Sequence, residues 1–387
     1  MTDTVVIVGG GIAGGASACL LARARRPVLL LERTAVAAGK MCGEFLSAEA
    51  AHYLDALGID ILALGASEIR RVSLLRGRKS VETSLPFAGF GLSRAILDEA
   101  LLRQAANFGA EIRRGRAVER VVRTGCRSEN LVEVMGDEPI RASTVFLATG
   151  KHDLRGIRRR EPQRVEDLVG FKLHWQLSPE QQKVLFGRVE IILFADGYAG
   201  LQLVEHGIAN LCLLVSAHRL RSAGGNWSEL LDQLLRTEPH LHARLNGAIP
   251  LDNRPVTIYR VPFGFVYKRA ITDPEGVFRL GDQVGVIPSF TGDGMSIALH
   301  SAALASAAVL RGDNSTDYHR SIQRDIETQI RLAGALNRLV RGKVAQPLTM
   351  QVAAALPRSL ASVAQLTRIS AHRIKRISNE LTALGVN

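Results

Sequence analysis

The sequence predicts an α/β fold with a mixed parallel sheet, joined to an α+β domain built on an antiparallel sheet and to a helical C-terminus. Apolar runs of strand length occur at residues 4–8, 28–31, 144–147 and 277–280, as expected for parallel strands that are buried on both faces. Strand-like segments dominate the middle of the chain, and the part from residue 316 onward has a helical, basic pattern.

The size and charge of the chain limit its function class. With 387 residues, of which 47% are hydrophobic, it can form two closely joined domains. Its 49 Lys and Arg residues outnumber its 37 Asp and Glu residues, which gives a net charge of +12. This balance attracts nucleic acids, anionic membranes or anionic small molecules. Because no zinc-finger spacing or RNA-binding motif accompanies the basic residues, we do not expect nucleic-acid binding.

The cysteines predict neither a metal site nor a disulfide framework. They are far apart and form no CxxC pair; they are Cys19, Cys42, Cys126 and Cys212. This usage fits a reducing compartment. The N-terminus carries no basic segment before an apolar run, so we expect no signal peptide. We therefore expect a cytoplasmic protein without a metal.

The N-terminal segment predicts a strand–turn–helix–strand unit. Residues 4–8 are apolar, residues 9–15 are rich in glycine, and residues 16–25 are rich in Ala and Leu, as in a helix. A second apolar strand over 28–31 then ends at Glu32. Such a right-handed βαβ crossover opens a Rossmann-like domain.

The glycines of this unit match the dinucleotide-binding fingerprint, as Gly9-x-Gly11-x-x-Gly14. The first glycine allows a tight turn, the second lets the backbone approach a pyrophosphate, and the third lets the helix pack on the strand. The helix start then offers free N–H groups and a positive dipole end to the phosphates. Glu32 is placed to accept hydrogen bonds from ribose hydroxyls.

The remaining elements follow in order along the chain. We predict a helix with an irregular entry over 43–64, short strands over 68–92, a helix over 94–107, strands at 111–113, 117–122, 131–134 and 144–147, an irregular segment over 151–167, strands over 170–267 with a helix at 227–236, and a long helix over 295–310. Ser93 is a suitable N-cap for the helix over 94–107, and Gly109 and Gly312 are placed to stop helices. Three domain assignments follow: 1–65, 93–160 and 276–330 for nucleotide binding, 66–92 and 161–275 for the substrate, and 331–387 as a C-terminal helical region.

A late set of motifs carries a family resemblance. Gly281-Asp282 ends a strand, Pro288 follows it, and Gly292-x-Gly294 opens the long helix. With the N-terminal fingerprint, these motifs resemble the FAD-dependent family that joins aromatic hydroxylases of the p-hydroxybenzoate type to geranylgeranyl reductases, over residues 1 to about 330. The resemblance implies FAD, with Asp282 at its ribityl chain and Pro288 beside its ring.

The fingerprint and the resemblance together predict the residues that bind FAD. They are Gly9, Gly11, Ile12, Ala13, Gly14, Glu32, Arg33, Lys40, Cys42, Arg94, Val118, Ala148, Thr149, Gly150, Gly281, Asp282, Pro288, Gly292, Gly294 and Met295. A reduced flavin is an anion, and the start of the long helix would stabilise its charge. The chain has no second glycine fingerprint for NAD(P)H, and the resemblance implies that NAD(P)H binds transiently as the electron donor, as in the hydroxylases of the family.

Cys42 and Pro288 are the predicted catalytic residues. The segment over 40–44 reads Lys-Met-Cys-Gly-Glu and resembles a Cys-Gly-Glu segment that lies beside the flavin in geranylgeranyl reductases. A thiol there could deliver a proton or tune the flavin. The alternative is a small buried cysteine without a chemical role.

Three functions remain open at this point. The segment over 197–201 lacks the Tyr-x-Trp-Phe-Pro-like motif of the reductases, and the Trp-x-Trp-x-Ile-Pro motif of flavin halogenases is absent. Hydroxylation of an aromatic or polyketide-like substrate by an NAD(P)H-dependent monooxygenase is therefore the leading expectation, since this chemistry needs few acid–base residues. The alternatives are a reductase of carbon–carbon double bonds and a flavin-bearing protein that binds a membrane or a partner.

The substrate is expected to face aromatic side chains of the second domain. They are Phe171, His174, Trp175, Tyr198, Phe263, Phe265 and Tyr267. Ordinary sheet packing is the alternative. The strand that begins at Gly170 would place Phe171 and Leu173 on one face and Lys172 and His174 on the other.

Two basic stretches have alternative interpretations. The segment over 151–164, with three successive Arg residues at 158–160, would attract a 2′-phosphate or an anionic substrate, or would be a solvated loop. The C-terminal helices over 332–384 combine spaced apolar residues with Arg and Lys. They would lie against a membrane surface, or simply cover the substrate domain.

Overall fold

The computed structural model describes residues 4–124, 129–159, 167–342 and 345–386. Within these residues the strands are β1 (Val5–Val8), β2 (Val28–Glu32), β3 (Phe45–Leu46), β4 (Ser67–Arg76), β5 (Lys79–Gly91), β6 (Glu111–Arg114), β7 (Val118–Arg123), β8 (Asn130–Val134), β9 (Ile140–Ala142), β10 (Thr144–Leu147), β11 (Leu168–Gln176), β12 (Arg188–Phe194), β13 (Gly197–Leu203), β14 (Ala209–Ser216), β15 (Ile249–Pro250), β16 (Val256–Tyr259), β17 (Phe265–Val266), β18 (Val277–Arg279) and β19 (Gly285–Val286).

The helices of the same residues connect and cover these strands. They are α1 (Ile12–Arg23), α2 (Ala48–Ala56), α3 (Arg94–Asn107), α4 (Pro179–Leu185), α5 (Ala217–Ser222), α6 (Trp227–Thr237), α7 (Pro239–Leu245), α8 (Gly294–Arg311), α9 (Ser315–Arg341), α10 (Ala345–Ala355), α11 (Arg358–Leu366) and α12 (Ala371–Ala383). Cys126, Arg160, Arg164 and Lys343 lie outside the described residues.

A five-stranded parallel sheet forms the first core. Its strand order is β18-β10-β1-β2-β6. The strands are apolar on both faces because α1, α3 and α8 cover one face and the antiparallel β7-β8-β9 sheet covers the other. This arrangement confirms the predicted α/β class, the N-terminal βαβ unit and the strand at residues 144–147.

A larger sheet of nine strands forms the second core. Its order is β15-β11-β14-β13-β12-β4-β5-β3, with β16 also paired to β11, and all its pairs are antiparallel except that of β4 with β12. Helices α4–α7 pack on one of its faces. The expectation of short strands over 68–92 is wrong, because β4 and β5 form one long hairpin that turns at Gly77, whose φ is +56°.

The C-terminal region is helical, as predicted. The assigned boundary at residue 330 falls inside α9, a continuous helix of 27 residues. The last helix, α12, packs back on α8 through Ile374, Ile377 and Leu381. By length and composition α8 is the one described helix able to cross a membrane, and 72% of it is buried inside the protein.

Candidate active site

The turn between β1 and α1 can be built only with glycine. Gly9 has a φ of +106°, and a Cβ there would lie 2.5 Å from the carbonyl oxygen of Ala148 at the end of β10. A Cβ at Gly14 would lie 1.9 Å from the carbonyl oxygen of Gly9. The backbone of this turn therefore packs directly on its neighbours, as a dinucleotide-binding turn requires.

The start of α1 is an anion-binding position. No side chain among the described residues caps this helix, and its first turn holds no acidic residue. A Cβ at Gly11 would point toward two cations, 3.3 Å from Arg94 Nη2 and 3.5 Å from Lys40 Nζ. Free N–H groups, a positive dipole end and two cations thus meet where the fingerprint predicts a pyrophosphate.

Asp98 holds these two cations in place, and our reading of the sequence missed it. Its carboxylate lies 2.9 Å from Lys40 Nζ and 2.9 Å from Arg94 Nε. Burial alone would lower the pKa of Arg94, but Asp98 and the Cys42 thiol beside it raise that pKa above its ordinary value. The i,i+4 spacing of Arg94 and Asp98 on the predicted helix could have indicated this ion pair from the sequence.

Glu32 occupies the predicted ribose-binding position at the end of β2. Its carboxylate is 7% exposed and accepts the Gly10 N–H at 2.6 Å and the Thr34 N–H at 2.9 Å. Burial alone would raise its pKa, yet these hydrogen bonds lower the pKa below the usual value. The backbone N–H of Arg116 donates to Glu32 O, which brings Val118 and β7 close to this strand end.

Other predicted nucleotide residues lie around the same strand ends. Arg33 is exposed and its guanidinium lies 3.3 Å from His152 Nε2. Thr149 and Gly150 follow β10, and Thr149 Oγ1 donates to His152 O. The structure thus gathers these side chains at the carboxyl edge of the parallel sheet, where open α/β sheets bind ligands.

The two predicted helix starts converge at Gly281. This residue follows β18 with a φ of +58° and donates its N–H to Ser301 Oγ of α8 at 2.9 Å. A Cβ at Gly281 would contact Ala13 of α1 at 3.4 Å and Ala298 of α8 at 3.6 Å. Glycine therefore permits both helices to approach the Gly281-Asp282 turn, with Ile12 and Met295 buried beside it.

The start of α8 contains a buried ion pair that the sequence did not suggest. Asp293 follows Gly292, whose φ is +74°, and its carboxylate lies 3.2 Å from Arg368 of the C-terminal region. Arg368 also pairs with Glu49 at 2.9 Å. Burial raises the pKa of Asp293 to about 7. The C-terminal region is thus fastened to the loop that holds Gly292 and Gly294.

The loop over 40–44 ends in a buried charged cluster. Glu44 is fully buried with a φ of +58°. Its carboxylate accepts a hydrogen bond from Lys172 Nζ, lies 2.7 Å from His174 Nε2, and accepts the Arg94 N–H at 2.8 Å. The Glu44 N–H in turn donates to Cys42 Sγ at 3.3 Å. We call Cys42, Glu44, Lys172 and His174 the acid–base cluster.

The charge of Glu44 is stabilised by its partners. Burial alone would raise its pKa, but the hydrogen bond from His174 and the charge of Lys172 lower that pKa below the usual value. Side-chain amides fix the loop itself, since Gln202 donates to Glu44 O and Asn210 donates to Gly43 O, each at 2.8 Å. A buried group able to hold and move protons is therefore present.

The predicted aromatic face is divided between two sides of the sheet. As expected, Phe171 and Leu173 lie on one face of β11 and Lys172 and His174 on the other. However, Phe171 and Trp175 are buried under α6 and α7, with the Phe171 ring 5.1 Å from that of Trp227. The expectation that Phe171 and Trp175 share a substrate face with His174 is wrong, because alternation turns them into the core beneath the helices.

Tyr198, one of the predicted substrate residues, lies near Pro288. Its hydroxyl is 2.6 Å from Ser289 Oγ, and its ring stands edge-on to Phe290 at 6.1 Å. Phe263 is partly buried and packs against the apolar cluster that contains Tyr198. Phe265 and Tyr267 instead form a small separate core with Val261 and Val286.

Part of the basic stretch after β10 stabilises the fold. Arg159 pairs with Asp153 at 2.7 Å and donates to the carbonyl oxygens of Asp282 and Lys151, each at 2.8 Å. Its guanidinium is therefore occupied, and the hypothesis that it captures a 2′-phosphate is not supported for this residue. Arg158 is exposed.

The residues present fit FAD. Glycine fills positions where any Cβ would collide with backbone, two uncapped helix starts approach one another, and a buried carboxylate ends β2. The glycine turn suits a diphosphate, the two helix starts suit an anionic ring, and the carboxylate suits a ribose.

Comparison with known proteins agrees with this geometry. Residues 7–62 match the family described as NAD(P)-binding Rossmann-like domain. The chain is 27% identical over 346 residues to the probable electron transfer flavoprotein-quinone oxidoreductase YdiS of Escherichia coli, covering 82% of this chain and 78% of that protein. It is 26% identical over 337 residues to digeranylgeranylglycerophospholipid reductase 2 of Methanopyrus kandleri, covering 84% and 82%.

Solved structures share the fold. The flavin-dependent brominase Bmp2 matches with a TM-score of 0.78 at 16% identity, over 99% of this chain and 98% of that one. PqsL of P. aeruginosa, described as a probable FAD-dependent monooxygenase and solved with 2-aminobenzoylacetate, matches with a TM-score of 0.70 at 18% identity, over 89% and 98%. The expected resemblance is therefore confirmed: the chain carries a Rossmann-like FAD-binding domain, is homologous to flavin oxidoreductases and a geranylgeranyl reductase, and has the fold of flavin-dependent halogenases and monooxygenases.

Proposed function

We propose that the chain is an FAD-dependent reductase that adds hydrogen to an unsaturated, lipid-soluble substrate. The observation that carries this proposal is the acid–base cluster beside the Arg94 and Lys40 cations. Reduction of a carbon–carbon double bond or a quinone needs a proton for each hydride, whereas hydroxylation leaves most of its chemistry to the cofactor. FAD, when bound, supplies the hydride.

Each member of the cluster has a distinct part in this proposal. Cys42 carries the proton that reaches the substrate, because its thiol bears a transferable proton and lies beside Arg94 and the Glu44 N–H. His174, with a side chain that is 20% exposed, reloads the site with a proton from solvent. Lys172 keeps the buried Glu44 charged, so Glu44 acts as a positioning residue for His174.

The curated relatives support this substrate class. Their names include a quinone oxidoreductase and a digeranylgeranylglycerophospholipid reductase. A quinone takes up a hydride and a proton to become a hydroquinone, and a carbon–carbon double bond of a geranylgeranyl chain takes them up to become saturated. We propose NAD(P)H or a reduced electron-transfer protein as the electron donor, and stopped-flow bleaching of the flavin by each candidate distinguishes them.

Anaerobic reoxidation tests the proposal. The reconstituted, dithionite-reduced protein is mixed without oxygen with a short-chain quinone or a geranylgeranyl ether, and the flavin absorbance is followed. Return of the oxidised spectrum together with reduced product supports the reductase. If the flavin stays reduced with both compounds, the proposal is wrong.

Replacement of one thiol sharpens this test. Cys42→Ala should slow substrate-dependent reoxidation by about 10²-fold or more, as expected for loss of a general acid, while FAD content stays unchanged. Cys19→Ala is the matched control, since Cys19 is buried under α3 with its thiol 3.3 Å from Leu101 O. Equal rates for wild type and Cys42→Ala would remove Cys42 from proton transfer.

Hydroxylation of an aromatic substrate is a second candidate because Tyr198 and Phe290 lie beside Pro288. These rings could stack on an aromatic ligand. When a phenol is added instead to the reduced protein, a hydroxylase leaves both the flavin and the phenol unchanged until oxygen is admitted, and then yields a product with one added oxygen atom.

A further inference from the structure

The C-terminal part of the chain is strongly and uniformly basic. Between Glu327 and Glu380 the sequence contains nine Lys and Arg residues and no Asp or Glu. Some of these cations are used inside the fold, since Arg373 and Arg376 pair with Asp325. Others, including Arg338 and Arg358, are exposed at the ends of α9 and α11. This region supplies much of the net charge of +12.

Helix α10 shows an apolar stripe to solvent within this basic region. Leu348, Val352 and Leu356 follow one another at i, i+4 and i+8 and are 61%, 48% and 64% exposed. Leu356 is the first residue after α10, and its N–H still donates to Val352 O at 2.9 Å. Residues at this spacing share one side of a helix. Single exposed apolar residues are common on soluble proteins, but an aligned stripe indicates an interaction surface.

The opposite side of α10 faces the candidate substrate region. Met350 and Ala353 are 2% exposed and belong to the same apolar cluster as Tyr198, with Phe290 packed against it. Gln346 donates to Phe194 O at 2.9 Å and fixes the first turn. Helix α10 therefore lies between the Tyr198 region and solvent.

Further cations lie on the elements that adjoin α10. Arg338 and the 51% exposed Leu339 are neighbours at the end of α9, and Arg358 follows Leu356 by two residues. Arg76 Nε donates to Gln346 Oε1 at 3.3 Å, so the β4–β5 hairpin, with exposed Arg78 and Lys79, reaches the start of α10.

We propose that α10, with the adjoining ends of α9 and α11, lies on an anionic lipid membrane. Leu348, Val352 and Leu356 would enter the boundary between headgroups and acyl chains, and Arg338 and Arg358 would contact the headgroups. A second copy of the chain is disfavoured as the occupant, because a self-complementary interface would bring two basic patches together. The membrane contact goes beyond the proposed reaction and holds whichever substrate the site accepts.

Vesicle binding by the full-length holoprotein tests this proposal. The wild type should sediment with vesicles of phosphatidylglycerol and phosphatidylcholine, and much less with vesicles of phosphatidylcholine alone. Val352→Glu should weaken binding at least about tenfold, because it places a charge in the centre of the stripe. Arg358→Gln should weaken binding to the anionic vesicles only.

A matched control distinguishes binding through this surface from non-specific adsorption of exposed apolar residues to vesicles. Phe186→Glu changes a residue that is 64% exposed after α4 and should leave vesicle binding unchanged. Equal binding of wild type and Val352→Glu to anionic vesicles would overturn the proposal. A concentration-dependent dimer that Val352→Glu abolishes, without lipid binding by the wild type, would equally overturn it and assign the stripe to self-association. Flavin content and melting temperature confirm that each variant is folded.

Discussion

At the scale of single residues, the nucleotide turn requires glycine because a Cβ atom would collide with neighbouring backbone. A Cβ at Gly14 would lie 1.9 Å from Gly9 O, so any side chain there must push the first turn of α1 away from β1. The same displacement would move the free N–H groups of that turn away from a diphosphate.

Gly14→Ala should therefore lower FAD affinity by more than about tenfold and cost about 1–3 kcal/mol of stability, as overpacked sites do. Fluorescence titration with FAD and urea unfolding measure the two effects. Gly334→Ala is the control, because nothing lies within 4 Å of a Cβ there. This helix-interior change should gain up to about 1 kcal/mol. An FAD affinity that Gly14→Ala leaves intact would contradict the assigned geometry.

At the scale of elements, Arg368 joins the segment between α11 and α12 to α2 and α8. Its side chain is 3% exposed, pairs with Glu49 and Asp293, and lies 3.6 Å above the centre of the Phe87 ring. Removal of this cation would leave two carboxylates facing each other with little solvent around them.

Arg368→Met should therefore destabilise the protein by about 3–5 kcal/mol at alkaline pH, where Asp293 is ionised. The loss should shrink as the pH falls toward about 7, because burial raises the pKa of Asp293 to about 7 even beside Arg368, and protonation of Asp293 removes the unpaired charge. Urea unfolding at several pH values measures both effects. Arg358→Met, at an exposed position, should change stability little; a pH-independent loss for Arg368→Met would show that packing rather than charge is responsible.

At the scale of the whole molecule, acid should destabilise the fold through buried histidines. Burial lowers the pKa of His319 to about 3 and also lowers that of His300. Between about pH 6.5 and the lowered values the unfolded chain binds protons that the folded chain does not, so stability rises with pH. Protonation also adds to a net charge that is already +12.

The free energy of unfolding should fall by up to about 1.4 kcal/mol per pH unit for each such histidine below about pH 6.5. His319→Gln should reduce this slope, because glutamine does not titrate. The hydrogen bond can be kept, since an amide oxygen can accept the Arg279 N–H that His319 Nε2 accepts at 3.2 Å. His372→Gln, at an exposed position, should leave the slope unchanged. An unaltered slope for His319→Gln would place the acid sensitivity elsewhere.

The sequence by itself determined the βαβ unit, the fingerprint glycines and the α/β class, because these depend on local periodicity and on backbone conformations that only glycine adopts. Tertiary structure alone decided which groups meet: Glu44 with Lys172 and His174, and Asp293 with Arg368. It also decided that Phe171 is covered by helices whereas His174 is not. Alternation along a strand separates two faces but cannot say what covers either one, and ion pairs across the fold leave no local pattern in the sequence.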